Sequence, residues 1–241
     1  MDIVIDVGNS SAKIALFEKG VMRERLCMRE LSADALMPLI EKYRIKRGIL
    51  SSVKALPSGY LSYLEKVLEL FIPFSHTVKI PIDVDYRTPG TLGCDRLAAA
   101  VGAASLRPGE SLLVIDAGTA VTFDYVTASG CFKGGNISPG LEMRFNALHT
   151  FTGKLPLVGK EGEAPLLGFS TETAIRSGVI RGICFEIEGY IEALQKQSGR
   201  LSVFLTGGDA FCFEEKLKFP IFAEPNLVLT GLYRILLHNV E

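Results

Sequence analysis

The chain has 241 residues, of which 48% are hydrophobic and 22% are charged, and its formal net charge at pH 7 is −1. This composition is typical of a globular protein and excludes the collagen-like and disordered classes. The near-zero net charge gives no general attraction to nucleic acid or to an anionic membrane surface, so we predict no partner of either kind.

The first residues of the chain and its cysteines indicate the cellular compartment of the protein. Asp2 and Asp6 interrupt the first apolar run and no basic segment precedes it, so it does not have the pattern of a signal peptide. No apolar run approaches the ~18 residues that a membrane span needs. The five cysteines include no two within four residues of each other, which argues against a zinc knuckle. We predict a cytoplasmic protein with reduced thiols.

The hydrophobic pattern predicts strands and helices in both halves of the chain. Besides the strand that opens each half, which contains residues 4–6 and 114–116, strands are predicted at 12–17, 21–27, 48–53, 120–126, 131–137 and 201–205. The helices are predicted at 32–43, from Pro57 to about Leu70, and at 93–106, 139–151, 170–198 and 226–238. Ser32 is the candidate N-cap of the first helix.

A short repeat relates the two halves. Residues 4–8 read Val-Ile-Asp-Val-Gly and residues 114–118 read Val-Ile-Asp-Ala-Gly, and each copy is followed by a strand pattern and then a turn signal. We therefore predict two related α/β domains, 1–110 and 111–241, with the boundary in the Pro108-Gly109 stretch.

The segment from Asp6 to Ser11 joins two predicted strands. A hairpin tip there exposes backbone N–H groups, Gly8 lets an anion approach closely, and the serine hydroxyls can donate hydrogen bonds. Asp6 can hold a hydrated Mg²⁺, and Lys13 can meet a phosphate. The alternative is an ordinary hairpin with a solvated aspartate.

The second copy, Asp116-Ala117-Gly118-Thr119, has the same potential. Two such tips facing each other across a cleft would form a phosphate clamp. Because two carboxylates and a polyphosphate repel one another, that clamp requires bound cations.

Two further motifs have less specific patterns. The turn Thr206-Gly207-Gly208-Asp209 follows a predicted strand, is expected to open a helix, and suits a nucleotide base or ribose. In Gly93-Cys94-Asp95-Arg96, Asp95 can accept a proton from a substrate hydroxyl, or it can merely cap the helix that follows. The sequence leaves these two roles of Asp95 open.

Three glycines, Gly178, Gly182 and Gly189, lie close to one face of the longest predicted helix. Each glycine lowers helix stability by roughly 1 kcal/mol, so we expect a compensating close helix–helix approach, for instance at a subunit interface. The chain has no GxSxG, no Walker loop and no GxGxxG, so a hydrolase elbow, a P-loop and a Rossmann site have no support.

Together these motifs resemble the acetate-and-sugar-kinase, Hsp70 and actin superfamily, and within it the type III pantothenate kinases. The segments that carry the resemblance span nearly the whole chain: DVGNSSAK at 6–13, Tyr86, TPGTLGCDR at 88–96, DAGTAVTFD at 116–124, GGNISPGL at 134–141, LP at 155–156, the Ser170 to Gly178 run and TGGDA at 206–210.

The resemblance implies two tandem RNase H-like domains with an interdomain cleft, and ATP-dependent phosphorylation of pantothenate, the first step of coenzyme A synthesis. It also implies Mg²⁺ with ATP, a monovalent cation (K⁺ or NH₄⁺), and a homodimer with the active site near the subunit interface.

The resemblance also implies a role for each residue of the site. The ATP-binding residues match Asp6, Val7, Gly8, Asn9, Ser10, Ser11, Ala12, Lys13 and Thr119. The catalytic base matches Asp95, and the pantothenate contacts match Tyr86, Gly93, Cys94, Asp95, Arg96 and Thr171. Asp116 matches the monovalent-cation ligand. The chain departs from the family at Ser10, where the family commonly has threonine.

Three other functions remain open at this stage: a regulatory accessory protein on the same fold, a kinase for another small hydroxy acid, and a nuclease with a related RNase H-like fold. The nuclease class gathers its carboxylates in one domain beside a basic surface, whereas here they are split between the two halves.

Overall fold

In the computed structural model of the protein, residues 1–240 are described, apart from the side chains of residues 33 and 34. The strands are β1 Asp2–Val7, β2 Ala12–Glu18, β3 Val21–Met28, β4 Arg47–Ser52, β5 Leu70–Pro73, β6 Asp83–Val84, β7 Ser111–Ala117, β8 Ala120–Val126, β9 Cys131–Pro139, β10 Leu201–Thr206 and β11 Phe222–Ala223. The α-helices are α1 Ala33–Tyr43, α2 Tyr60–Val67, α3 Cys94–Leu106, α4 Leu141–Thr150, α5 Thr171–Ser198 and α6 Leu227–His238.

The chain divides into two compact units. The first consists of Met1–Pro108 together with Asn226–Glu241, and the second of Gly109–Pro225. This division differs from the predicted domains 1–110 and 111–241 in the C-terminal segment, which belongs with the first unit. The reason is the packing of α6 on α3, where Gly102 and Gly231 let the two backbones approach so closely that a Cβ on either would enter the other helix.

The first unit contains a sheet with the strand order β3-β2-β1-β4-β5. The first three strands form an antiparallel meander, and β4 and β5 add in parallel. Every residue of β1 is buried, whereas exposure alternates along the edge strand β3. Helix α1 begins as predicted, since Ser32 Oγ accepts a hydrogen bond from the Ala35 amide at 3.3 Å.

The strands of the second unit run in the order β11-β10-β7-β8-β9. Here β7, β8 and β9 form the antiparallel meander, and β10 and β11 extend it in parallel. Helix α5 packs its isoleucine row, which includes Ile183, Ile187 and Ile191, into the core of this unit. The meander β7-β8-β9 therefore repeats β1-β2-β3, and the predicted α/β fold with related halves is confirmed.

Three local expectations differ from the structure. The helix expected from Pro57 begins at Tyr60. The turn at 206–209 leads into two single-turn 3₁₀ helices, Ala210–Cys212 and Glu214–Lys216, rather than into an α-helix. The short strands β5, β6 and β11 were not anticipated, because only pairing with a neighbour defines such short strands. Within residues 1–240, no helix has both the length and the apolarity that crossing a membrane requires.

Candidate active site

The first hairpin tip, residues 8–11, joins β1 to β2. The Gly8 amide donates to the Ser11 carbonyl at 3.0 Å and closes the loop. Asn9 and Ser10 are exposed at its crest, whereas Asp6 is only 7% exposed and pairs in register with Lys13 on β2. The tip thus presents small polar residues outward, with a shielded carboxylate at its base, which suits an anion accompanied by a cation.

The parallel strand β4 ends beside this tip. The Val53 amide donates to the Val7 carbonyl at 3.0 Å, and Ser51 pairs in register with Asp6. Ser51 is fully buried, and its hydroxyl finds no hydrogen-bond partner among the described residues. The carboxyl ends of parallel strands are where ligands commonly bind in α/β sheets.

Asp95 lies in the first turn of α3, and the structure allows both of the roles that the sequence left open. Its Oδ1 accepts a hydrogen bond from the Arg96 amide at 2.8 Å, so it caps a helix that has no side-chain bond from its N-cap residue, Gly93. It is also half-buried rather than enclosed, so it can meet a substrate. A Cβ added at Gly93 would collide with Asp95 Oδ1, so the absence of a side chain at Gly93 leaves room for this carboxylate orientation.

The neighbours of Asp95 complete the segment 93–96. Burial raises the pKa of the Cys94 thiol, and the negative charge of Asp95 adds to that effect. Cys94 therefore stays protonated near neutral pH and can serve as a packing or contact group rather than as a nucleophile. Arg96 is 7% exposed.

The other predicted substrate residues lie on different units. Tyr86 is half-buried in the segment that follows β6, in the first unit. Thr171 is the exposed first residue of α5, in the second unit. The structure thus places the tip at 8–11, Tyr86 and the segment 93–96 in one unit, and Asp116, Thr119 and Thr171 in the other.

The second hairpin tip, residues 118–119, joins β7 to β8 and is braced from two sides. The Gly118 amide donates to the Ala120 carbonyl at 3.0 Å, and the Thr119 carbonyl accepts from the Gly140 amide at 3.1 Å. The Ala117 carbonyl accepts from the Asp209 amide at 2.9 Å, so the turn at 206–209 lies directly against this tip.

Gly207 makes that close approach possible. Its φ is +100°, and an added Cβ would lie 2.5 Å from Asp116 Oδ1. Only glycine adopts this conformation readily. The structure therefore brings together two features that the sequence predicted separately: the second tip, with Asp116 and Thr119, and the double-glycine turn.

Two residues beside that turn were not anticipated. Lys160 Nζ lies 3.0 Å from Asp209 Oδ1 and 5.0 Å from the centre of the Phe211 ring. The hydrogen bond to Asp209 raises the pKa of Lys160 above its usual value, with desolvation opposing. An aromatic residue directly after TGGDA was a visible signal for Phe211, but no sequence pattern links Lys160 to Asp209, 49 residues away.

The donor atoms at both tips suit oxygen-preferring cations. No cluster of three or more histidine, cysteine, aspartate or glutamate residues able to hold a metal occurs in the described part of the chain. A cation that takes one carboxylate, with water and phosphate oxygens as its other ligands, as Mg²⁺ does, fits Asp6. At the second tip, the Asp116 carboxylate likewise offers an oxygen donor of the kind that hard cations prefer.

Comparison with known proteins gives consistent results. The family model described as type III pantothenate kinase matches residues 2–193. A type III pantothenate kinase of Phocaeicola vulgatus is 53% identical over 239 residues, which cover 99% of both chains. One of Cytophaga hutchinsonii is 47% identical over 240 residues, which cover 100% of both.

Solved structures resemble the fold at much lower identity. A Campylobacter jejuni protein, provisionally described as a Baf family transcriptional activator, has a TM-score of 0.64 at 20% identity, with 99% of this chain and 98% of that chain covered. A ROK hexokinase from Thermus thermophilus has a TM-score of 0.55 at 14% identity, with 99% of both chains covered. These likenesses concern the fold alone. The match to the family model over most of the chain and the full-length relatives show that the chain belongs to the type III pantothenate kinase family.

Proposed function

We propose that this protein transfers the γ-phosphoryl group of ATP to pantothenate, forming 4'-phosphopantothenate and ADP in the first step of coenzyme A synthesis. The observation that carries the proposal is the Asp95 carboxylate, half-buried at the start of α3 and oriented by the Arg96 amide. A phosphotransferase needs a base for its acceptor hydroxyl and cation-binding groups for its nucleotide. The Asp95 carboxylate is suited to the first task, and the two acidic hairpin tips are suited to the second.

Asp95 acts as the general base. Its Oδ1 accepts a hydrogen bond from the Arg96 amide. The other oxygen, Oδ2, is therefore the one that takes the proton from the primary hydroxyl of pantothenate. The resulting oxygen nucleophile attacks the γ-phosphorus in line as the bond to the β-phosphate oxygen breaks, and ADP leaves. A positioned base of this kind contributes about 10²–10⁴-fold to the rate. Positioning and charge stabilisation supply most of the remainder.

The two tips have different parts in nucleotide binding. The residues 6–13 of the first tip bind the phosphates, and Asp6 would hold a hydrated Mg²⁺. Thr119 contacts ATP, and Asp116 would hold K⁺ or NH₄⁺. When bound, these cations would offset the negative charge of the phosphates and of the carboxylate beside each cation.

The proposed pantothenate contacts are Tyr86, the segment 93–96 and Thr171. Arg96, which is long, cationic and nearly buried, is the residue suited to orient an acidic partner.

The direct test is pantothenate-dependent release of ADP in a coupled assay, with and without K⁺, across a panel of small hydroxy acids. We expect pantothenate to be the preferred acceptor. Preference for another hydroxy acid would replace pantothenate as the substrate, and no ADP release with any acceptor would contradict the kinase function.

The role of Asp95 is tested separately by Asp95→Asn. The amide cannot accept the proton, so we expect kcat to fall by about 10²–10⁴-fold while ATP binding persists. Asp83→Asn, at an exposed aspartate in β6, is the matched control. Near-normal turnover of Asp95→Asn would remove Asp95 as the base.

We further propose that the protein is a homodimer that pairs through the second unit. Large apolar side chains between 53% and 85% exposed lie on residues 151–169 and on α5: Phe151, Leu157, Leu166, Leu167, Phe169 and Phe185. Apolar groups exposed in such number favour burial against another protein.

The face of α5 that carries Phe185 supports a second copy of the chain as the partner. Gly178, Gly182, Phe185 and Gly189 recur at helical spacing, and no atom lies within 4 Å of a Cβ added at Gly178 or Gly189. The close approach that the sequence predicts is therefore not made at Gly178 or Gly189 by the described residues of this chain, and it remains available there to a partner helix.

Sedimentation analysis tests this assembly. Phe185→Glu places a charge on the proposed interface, and we expect it to convert the dimer to a monomer. Val21→Glu, at a residue of the first unit exposed to a similar extent, should leave the dimer intact. A monomeric wild-type protein, or a Phe185→Glu variant that stays dimeric, would refute the proposed surface.

A further inference from the structure

We infer that Phe211 is the platform on which the purine base of the nucleotide stacks, and that Lys160 is the residue that positions this platform. The inference rests on the proposed kinase function and assigns nucleotide selectivity to two side chains of the second unit.

The turn at 206–209 fixes where such a platform stands. The Asp209 amide donates to the Ala117 carbonyl, and a Cβ added at Gly207 would collide with Asp116 Oδ1, so the turn is held against the second hairpin tip. At Gly208, by contrast, an added Cβ would meet no atom within 4 Å. The outer side of the turn is therefore open, and a planar group can approach its backbone there.

Phe211 lies on the 3₁₀ helix Ala210–Cys212, directly after this turn, and it is 65% exposed. Its neighbour Phe213 is fully buried in the core of the unit, so the segment is anchored although the ring of Phe211 is not. A solvent-exposed aromatic ring beside an open glycine turn can stack against the flat, apolar face of a ligand. Bases stack on such rings through their π-faces.

Lys160 restrains both the turn and the ring. Its ammonium donates to Asp209 Oδ1 at 3.0 Å and lies 5.0 Å from the Phe211 ring centre, a cation–π distance. The segment that carries Lys160 is in turn tied to α5, because Arg176 Nε donates to the Gly159 carbonyl at 3.0 Å. Lys160 therefore limits the positions that the ring can adopt before the nucleotide arrives, which lowers the entropic cost of binding.

The ring is tested by Phe211→Leu, which keeps an apolar side chain and removes the aromatic face. We expect the ratio of kcat/KM for ATP to that for CTP to fall by about 10-fold, because stacking favours the larger purine. Phe211→Tyr should retain the wild-type ratio. Phe222→Leu, at an exposed ring that packs against Phe204 with 5.4 Å between ring centres, is the matched control and should not change the ratio.

A binding measurement supplies a readout independent of the acceptor. We expect the fluorescence of 2-aminopurine riboside triphosphate to be quenched on binding to the wild-type protein and to Phe211→Tyr, and to be quenched less in Phe211→Leu. Equal quenching by all three proteins, or an unchanged ATP/CTP ratio in Phe211→Leu, would overturn the assignment of Phe211.

Lys160→Met removes the ammonium and retains most of the stem. We expect the KM for ATP to rise by about 3–10-fold with kcat and the KM for pantothenate unchanged, and we expect Lys160→Arg to restore the wild-type value. If Lys160→Met lowers thermal stability alone, the residue is only structural and its positioning role is refuted. Failure of the proposed function would look different, because the wild-type protein would then release no ADP with any acceptor.

Discussion

The two hairpin tips share a five-residue pattern and the same antiparallel pairing, but their surroundings differ. The first tip spans residues 8–11, is closed by the backbone bond from Gly8 to Ser11, and receives one bond from outside at its base, from the Val53 amide to the Val7 carbonyl. The second tip is shorter, and the backbone amides of Gly140 and Asp209 hold it from outside. Its aspartate also meets Gly207, whereas Asp6 is nearly buried at the base of the open loop.

This difference suits the two tips to different ligands, the first to phosphates and the second to a cation. An open loop with exposed Asn9 and Ser10 can adjust to a flexible triphosphate. A braced tip provides fixed oxygen donors, as a cation with defined coordination requires. The repeated sequence thus supplies the same strand and aspartate twice, and the neighbouring backbone decides what each copy can do.

The largest expected effect concerns the open tip. If Asp6 holds Mg²⁺ at the phosphates, Asp6→Asn removes the charge that this requires, and we expect kcat/KM for ATP to fall by about 10²–10³-fold. Steady-state kinetics over a range of Mg²⁺ concentrations would measure this. Asp2→Asn is not a suitable control, because Asp2 forms an ion pair with Arg47 at 2.8 Å; the exposed Asp83 serves instead. A normal Mg²⁺ response in Asp6→Asn would mean that the two tips do not differ in this way.

The corresponding change in the braced tip should have a different consequence. If Asp116 holds the monovalent cation, Asp116→Asn should weaken activation by K⁺ by at least about 10-fold while the Mg²⁺ dependence stays close to normal. Titration of K⁺ at fixed Mg²⁺ is the measurement. A variant that still responds fully to K⁺ would exclude Asp116 as the ligand.

The bracing itself is tested through stability. Gly207→Ala places a Cβ against Asp116 and the Ala117 backbone at a positive φ, and we expect the free energy of unfolding to fall by about 1–3 kcal/mol. Urea unfolding would measure this loss. Gly208→Ala, with no atom within 4 Å of the new Cβ, and Gly8→Ala, whose Cβ would lie 3.4 Å from the Ser11 carbonyl oxygen, should each change stability by less than about 0.5 kcal/mol. Equal losses at all three positions would mean that the second tip is no more constrained than the first.

The smallest expected effect is a pH dependence at the ion pair beside the braced tip. Because the bond to Asp209 raises the pKa of Lys160 above 10.5, the folded protein holds this proton more tightly than the unfolded chain does. The stabilisation of about 0.5–1 kcal/mol is therefore complete below the unfolded-state pKa and is lost as pH rises through the folded-state value.

Unfolding of the wild-type protein and of Lys160→Met, measured from pH 7 to about pH 11.5, would test this sign. The difference between the two proteins should be constant near neutral pH and should vanish at the alkaline end. Lys154→Met, at an exposed lysine of the same unit, should show no such convergence. A difference that grows with pH would contradict the assigned cause.

Most of the secondary structure followed from local patterns. The isoleucine row of α5 and the N-cap at Ser32 are properties of neighbouring residues, so they could be predicted. The two-residue strand β11 could not, because it exists only through its pairing with Phe204 and Leu205 on β10. For the same reason the packing of α6 on α3, between segments more than 120 residues apart, was not visible in the sequence.

The candidate site shows the same limit. The sequence by itself determined the two acidic tips, the Asp95 segment and the double-glycine turn, because each depends on a few consecutive residues whose chemistry is local. Only the tertiary structure decided that the turn lies against Asp116, that Lys160 meets Asp209 and Phe211, and that Gly178 and Gly189 of α5 remain uncovered. Those contacts join residues distant along the chain, and they form only when burial of the core brings the strands and loops together.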